Sequence, residues 1–200
     1  MSRFLLIRHA TTDDVGHRLS GRNPGVPLNA EGHAQAKQIA TNLASIAIDH
    51  IYSSPMERAI STAKPLSERL HLPIHTHEAF NEIDFGTWTN GLLSELEQDT
   101  GFRLFNQFRS NVRIPGGELM LEAQTRIVSG IQKIAEMHPS SIIAVFSHSD
   151  MIRAAVTHYL GMSLDLISRI EISPASVTIL DIYKDTSRIM LLNYQGEIKK

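Results

Sequence analysis

Two short runs with no polar interruption, Phe4-Leu5-Leu6-Ile7 and Ile142-Ile143-Ala144-Val145-Phe146, constrain this chain more than any other feature. They are apolar at every residue rather than every second one. That pattern suits strands covered on both faces, as in parallel sheets flanked by helices. Helical spacing follows the first run in Ala36, Ile39, Ala40, Leu43, Ala44 and Ala47, behind a capping Asn29. It returns in Ala59, Ala63, Leu66 and Leu70, where Ser54 is placed as N-cap and Pro55 as the first helical residue. Pro65 is expected to kink or split that helix. Leu119, Ala123, Ile127, Ile131 and Ile134 mark a longer helix, and residues 151–160 another that stops at Gly161. Residues 51–52, 74–77, 170–172, 177–182 and 189–192 read as further strands, the last two joined by the turn-forming Lys184-Asp185-Thr186-Ser187. The alternation predicts an α/β fold with a mostly parallel sheet. Residues 92–112 carry helical patches without an evident place in it. Within that excursion, Phe102, Phe105 and Phe108 read as one packed helical face.

At 200 residues the chain is sized for one domain, and no repeat or linker divides it. Its 19 basic and 21 acidic residues leave a net charge of −2, which removes the broad basic footprint of a nucleic-acid or anionic-membrane binder. No uninterrupted apolar run reaches membrane-spanning length, and the run at 4–7 meets Arg8-His9 at once. With 0 cysteines there is no disulfide, thiolate nucleophile or thiolate metal site, in keeping with a cytoplasmic location.

In open α/β sheets ligands gather at the carboxyl ends of the strands. The first run ends in Arg8-His9, the second strand in Ser53-Ser54 with Arg58 one turn into the next helix, and the central run in Ser147-His148-Ser149. Two arginines and two histidines suit a phosphomonoester: guanidinium forks bind the anionic oxygens, and a neutral imidazole can act as nucleophile. Hydrolysis of such esters is slow enough uncatalysed that nucleophile, charge clamp and proton donor are all needed. Glu82, in Phe80-Asn81-Glu82-Ile83-Asp84-Phe85-Gly86, supplies the acid if burial raises its pKa, with Asp84 the weaker alternative.

Leu6-Ile7-Arg8-His9-Ala10 resembles the opening motif of the histidine phosphatase superfamily, which has the phosphoglycerate-mutase-like fold. The resemblance continues in order through Arg18-Leu19-Ser20-Gly21-Arg22, Pro27-Leu28-Asn29-Ala30-Glu31-Gly32 and Ser53-Ser54-Pro55-Met56-Glu57-Arg58-Ala59. Glu82 to Gly86, Pro115-Gly116-Gly117-Glu118 and Phe146-Ser147-His148-Ser149-Asp150-Met151-Ile152-Arg153 complete it, over residues 3–195. It implies a three-layer α/β/α sandwich and a single domain over 1–200, with a small excursion or cap at about 87–117. It further implies a metal-independent phosphatase without cofactor, acting on a small-molecule phosphomonoester. On this pattern His9 is the nucleophile that carries a phosphohistidine, and Arg8, Arg58 and His148 hold the phosphoryl oxygens. Glu82 is the proton donor, and Ser20, Gly21 and Ser149 contact substrate.

Three positions depart from the family pattern: Ala10 and Ser149 stand where glycine is common, and Thr11-Thr12-Asp13-Asp14-Val15 lacks an asparagine that several members turn to phosphate. If the backbone at Ala10 needs a positive φ, alanine costs roughly 1 kcal/mol there. Two other functions remain open, a phosphoglycerate-type mutase using the same intermediate and a phosphoester-binding module without turnover. The short excursion disfavours the mutase, because mutases of this fold shield their intermediate with a larger insertion. His75-Thr76-His77 raises a metal site only weakly, with no carboxylate pattern beside it. Arg103, Arg109 and Arg113 bracket the aromatic face, and one or two of them could reach the pocket and select acidic substrates. Residues 189–192 are a candidate edge for pairing in a homodimer.

Overall fold

The computed structural model describes residues 1–198; Lys199 and Lys200, which end the expected 1–200 domain, lie outside the described residues. Strands β1 (Ser2–Arg8), β2 (His50–Ser53), β3 (Ile74–Thr76), β4 (Ile142–Ser147), β5 (Val177–Ile182) and β6 (Ser187–Tyr194) form one sheet in the order β3-β2-β4-β1-β5-β6. The first four are mutually parallel, whereas β5 and β6 pair antiparallel on the β1 side, so that β6 is an edge. The helices are α1 (Ala30–Asn42), α2 (Glu57–Leu70), α3 (Leu93–Leu96), α4 (Thr100–Gln107), α5 (Met120–Met137) and α6 (Ser149–Leu160).

The all-apolar runs behave as their pattern requires. Successive side chains leave a strand on opposite faces. Leu5, Ile7, Ala144 and Phe146 therefore pack with Ala36 and Ile39 of α1 and Ala63 and Leu66 of α2. Phe4, Leu6, Ile143 and Val145 turn the other way, onto Ile127 and Ile131 of α5 and Ile152 and Val156 of α6. The result is the expected α/β/α sandwich.

Local differences have physical causes. Residues 170–172 are not a strand: Ile170 and Ile172 are buried, but the Ile172 carbonyl accepts from Arg8 Nη1 at 2.6 Å instead of from a neighbouring strand. Helix α1 stops at Asn42, leaving Ala44 and Ala47 of the predicted stripe exposed. Helix α2 begins two residues later than expected, with Met56 as N-cap, and Ser54 Oγ instead accepts from the Met56 amide. It then runs unbroken through Pro65, held by the burial of Ala59, Thr62, Ala63 and Leu66 on one face. Phe102 and Phe105 are buried, but Phe108 falls just past the end of α4 and is exposed.

Candidate active site

The parallel strand ends are tied to one another before any side chain is considered. His9 N donates to Ser147 O at 2.9 Å, Ser54 N to Phe146 O at 2.8 Å and His77 N to Ser53 O at 2.9 Å. Ser147 Oγ reaches across to the Phe80 carbonyl at 2.8 Å. Arg8, His9, Arg58, Glu82 and His148, far apart in sequence, are thereby brought to one end of the sheet.

His9 is 6% exposed, and its Nδ1 lies 2.8 Å from the Ala10 carbonyl, which can only accept. Nδ1 therefore carries the proton, and the Nε2 lone pair is left free. Burial first, then the Arg58 and Arg8 charges, hold the imidazole well below its ordinary 6.5, so it is neutral at physiological pH. The helix α1 side of this strand end needs no glycine at position 10. Ala10 has no positive φ, its amide donates to Thr62 Oγ1 at 2.9 Å, and its methyl is buried in the core.

Arg58 is buried and donates from Nη2 to Gly21 O at 2.8 Å and to His148 Nδ1 at 3.2 Å. His148 is fully buried, with Nε2 lying 2.8 Å from Ser54 Oγ, and burial followed by the Arg58 charge holds it well below 6.5. Glu82 Oε2 lies 3.8 Å from Arg58 Nη2 and 3.4 Å from His148 Nδ1. Burial pushes the Glu82 carboxyl up to about 7, with Asp150 adding to the rise and Arg58 and Arg8 opposing it. A carboxyl that keeps its proton to neutrality reverses what glutamate does in water, and burial among arginines extends the neutral range of the imidazole to lower pH. Such a pair is chemically suited to act as a nucleophile and an acid.

The loop carrying Glu82 is clamped from outside. Arg126, on α5, donates to the carbonyls of Glu78, Ala79, Asn81 and Glu82 at 2.9–3.3 Å and pairs with Glu118 at 3.0 Å. Arg22 adds a bond to Glu82 O at 2.8 Å and meets the same Glu118 at 3.1 Å. Glu118 in turn accepts from Asp84 N at 2.9 Å. The glycines of both motifs are needed for this contact. Gly86 has φ +47°, and a Cβ there would sit 2.1 Å from Pro115 O; one on Gly117 would sit 2.2 Å from Asp84 O.

A cavity of about 300 Å³ opens over these groups, lined by Arg8, His9, Arg58 and Glu82 and by the three expected contacts Ser20, Gly21 and Ser149. His148 lies behind its wall rather than in it. Ser20 Oγ donates to Asp14 Oδ2 at 2.8 Å, so the Asp14 carboxylate is engaged with the loop beside the cavity. Ser149 opens α6, and its Oγ meets Ile172 O at 3.3 Å. Of the three excursion arginines, Arg109 lines the cavity and Arg103 and Arg113 do not. Among the described residues no three potential metal ligands cluster; His77 Nδ1 accepts from Ala79 N at 3.0 Å, and His75 lies against Tyr52.

The sequence profile of the histidine phosphatase superfamily (branch 1) matches residues 4–195. The chain belongs to that superfamily. Phosphoserine phosphatase 1 of Hydrogenobacter thermophilus is 27% identical over 96% of this chain and 92% of its own. The uncharacterized phosphatase PhoE of Bacillus subtilis is 30% identical over 84% of this chain and 82% of its own. The crystal structure of the alpha-ribazole phosphatase from Shigella flexneri superposes with a TM-score of 0.88, at 24% identity and 99% coverage of each chain, and shows the same fold. As a histidine phosphatase the chain is a phosphomonoester hydrolase. Two of its side chains went unassigned in the sequence. Arg153 stands inside a quoted motif, whereas Arg126 carries no local signal because its partners are carbonyls of a loop distant in sequence. No helix among the described residues is long and apolar enough to cross a membrane.

Proposed function

We propose that His9 attacks the phosphorus of a small phosphomonoester through Nε2, with Arg8, Arg58 and His148 holding the phosphoryl oxygens, His148 by exchanging one of its contacts to Arg58 and Ser54 for the phosphoryl group, and Glu82 serving as the acid. The observation that carries this assignment is the 2.8 Å contact from His9 Nδ1 to Ala10 O, which fixes the tautomer and leaves the nucleophilic nitrogen unprotonated. In the first step the N–P bond forms, the ester P–O bond breaks, and the leaving alkoxide takes the Glu82 proton. In the second, Glu82 as carboxylate takes a proton from water. The water oxygen attacks phosphorus, and the N–P bond breaks to return His9 and inorganic phosphate.

Ser20, Gly21 and Ser149 contact the substrate from the cavity wall in this scheme, without a metal or cofactor. We place the machinery in one domain over 1–200, with residues 87–117 as its cap, acting in the cytoplasm. The free edge of β6 is where two copies would pair.

The test is to quench the turning-over enzyme and map phosphate by mass spectrometry. We expect phosphate on His9, release of inorganic phosphate rather than an isomerised ester, and a loss of roughly 10⁴-fold or more in His9→Ala. Full activity in His9→Ala would overturn the assignment.

A further inference from the structure

We infer that Asn193, on the edge strand β6, is a positioning residue for Arg8: its side-chain amide holds the Ile172–Ser173 peptide group, and that peptide group holds the Arg8 guanidinium at the cavity. The inference rests on the assignment of Arg8 to the phosphoryl oxygens and adds a residue that never touches them.

The chain makes this contact through an irregularity in the sheet. Val177 pairs with Tyr194 and Ile179 with Leu191, so Leu192 and Asn193 of β6 stand opposite Thr178 alone. Such a bulge bends the strand and re-aims a side chain. Asn193 takes φ +53°, in the left-handed region that asparagine tolerates better than most residues. Its backbone N–H donates to Thr178 Oγ1 at 3.3 Å, and its side chain reaches the loop that leads into β5. There Oδ1 accepts from Ser173 N at 2.6 Å, and Nδ2 donates to Ser173 Oγ at 3.3 Å.

Ser173 N–H and Ile172 C=O belong to one peptide group, and in a trans peptide they point in opposite directions. On the far side the Ile172 carbonyl accepts from Arg8 Nη1 at 2.6 Å and from Ser149 Oγ at 3.3 Å. Asn193, the peptide and Arg8 thus form one chain of hydrogen bonds, in which each bond polarises the next. Arg8 depends on that chain. Among the described residues its guanidinium has no other hydrogen bond, and its Nε is buried without an acceptor. Arg58, by contrast, is held by both the Gly21 carbonyl and His148.

The rest of the loop is tied to the same strand end. Ser176 O accepts from Arg8 N at 3.2 Å, Ala175 N donates to His9 O at 3.3 Å, and Ser176 N closes the turn on Ser173 O at 3.1 Å. Ala175 is buried at φ +59°, a conformation that its surroundings must impose on an alanine. Gln195 also holds the loop, from Nε2 to Pro174 O at 2.8 Å, but this bond does not reach the peptide group that meets Arg8. Asn193 and Gln195 therefore separate holding Arg8 from holding the loop.

The test titrates inorganic phosphate calorimetrically into the enzyme and measures kcat/KM on an aryl phosphate. Asn193→Gly keeps the left-handed backbone and loses both side-chain bonds. Phosphate should then bind about tenfold more weakly, with kcat/KM falling by at least as much, since a loosened Arg8 no longer meets the phosphoryl group in one geometry. Asn193→Asp keeps the Oδ1 acceptor and should restore most of both, whereas Gln195→Ala should stay within about twofold of wild type. In an Arg8→Ala background, Asn193→Gly should change phosphate affinity by less than about twofold, because the side chain it positions is gone. A full further loss in that background, or Gln195→Ala as damaging as Asn193→Gly, would make Asn193 a structural residue and overturn the inference. Wild-type phosphate affinity in Asn193→Gly would overturn it too. Phosphate affinity unchanged in Arg8→Ala would instead sink the phosphoryl role of Arg8 on which the inference rests.

Discussion

The two ends of the cavity are built differently. At the phosphoryl end, Arg8, His9, Arg58 and His148 sit at or just beyond the ends of β1, β2 and β4, and backbone bonds of 2.8–2.9 Å lock these strand ends to one another. At the outer end, Leu93, Phe102 and Arg109 come from the excursion. It is held by aromatic packing of Trp88, Phe102 and Phe105 and by one isolated bridge between Arg18 and Leu92. The reacting groups therefore inherit the rigidity of the sheet, whereas the substrate's remaining atoms meet a wall that can be altered without touching it. Changes at the first end should decide whether phosphate is transferred, and changes at the second from which ester.

The largest expected contrast at the phosphoryl end comes from Glu82→Gln. Hydrolysis of an alkyl phosphate should drop by about 10²–10⁴-fold, and of an aryl phosphate by less, because an aryl oxide leaves with little help from a proton. In the wild type the alkyl rate should fall as pH rises through about 7, where Glu82 loses its proton, and that limb should be missing in the variant. Stability offers an independent check. The folded value near 7 lies above the ordinary 4.5, so the folded state holds this proton more tightly than the unfolded one. The buried carboxylate costs nothing below about 4.5 and destabilises by up to about 3 kcal/mol above 7. The Tm of Glu82→Gln relative to wild type should therefore climb from pH 5 to pH 8. A difference that stays flat would break the account of Glu82 as a desolvated acid.

Arg126→Met sharpens the comparison because it removes no group that touches substrate. Its guanidinium holds four carbonyls of the acid loop. Losing it should let Glu82 drift and lower kcat on alkyl esters by about tenfold or more, since small misplacements of a reacting group are costly. Aryl phosphate hydrolysis should fall less, and KM should change little. Equal losses on both ester classes would reduce Arg126 to a purely structural residue.

How much of this was legible follows the same division. The all-apolar runs announced β1 and β4, and the residues at their ends announced the groups that the structure brings together, because burial and strand-end chemistry leave local signatures. The direction of β5 and β6 left none, since period-two patterning is the same in either sense. Residues 170–172 were misleading for an instructive reason: apolar side chains fill the core there while the backbone serves Arg8 and Ser149. Arg109 could be shortlisted with Arg103 and Arg113 but not chosen among them, because the choice depends on Asp150, a residue distant in sequence.

That choice yields the smallest effect. Arg103 bonds the Glu97 and Gln98 carbonyls and Thr100 Oγ1 within its own segment, at 2.8–3.2 Å. Arg113 pairs with Glu122 at 2.5 Å on the outer surface, where both side chains are about half exposed. Neither faces the cavity, and exposed pairs of this kind contribute little. Arg103→Ala and Arg113→Ala should leave kcat/KM on 3-phosphoglycerate and glycerol 3-phosphate within about twofold of wild type, since only long-range Coulomb effects screened by water remain. If either shifted the ratio between the two esters severalfold, discrimination would reside in the summed charge of the excursion and not in which of its arginines lines the cavity.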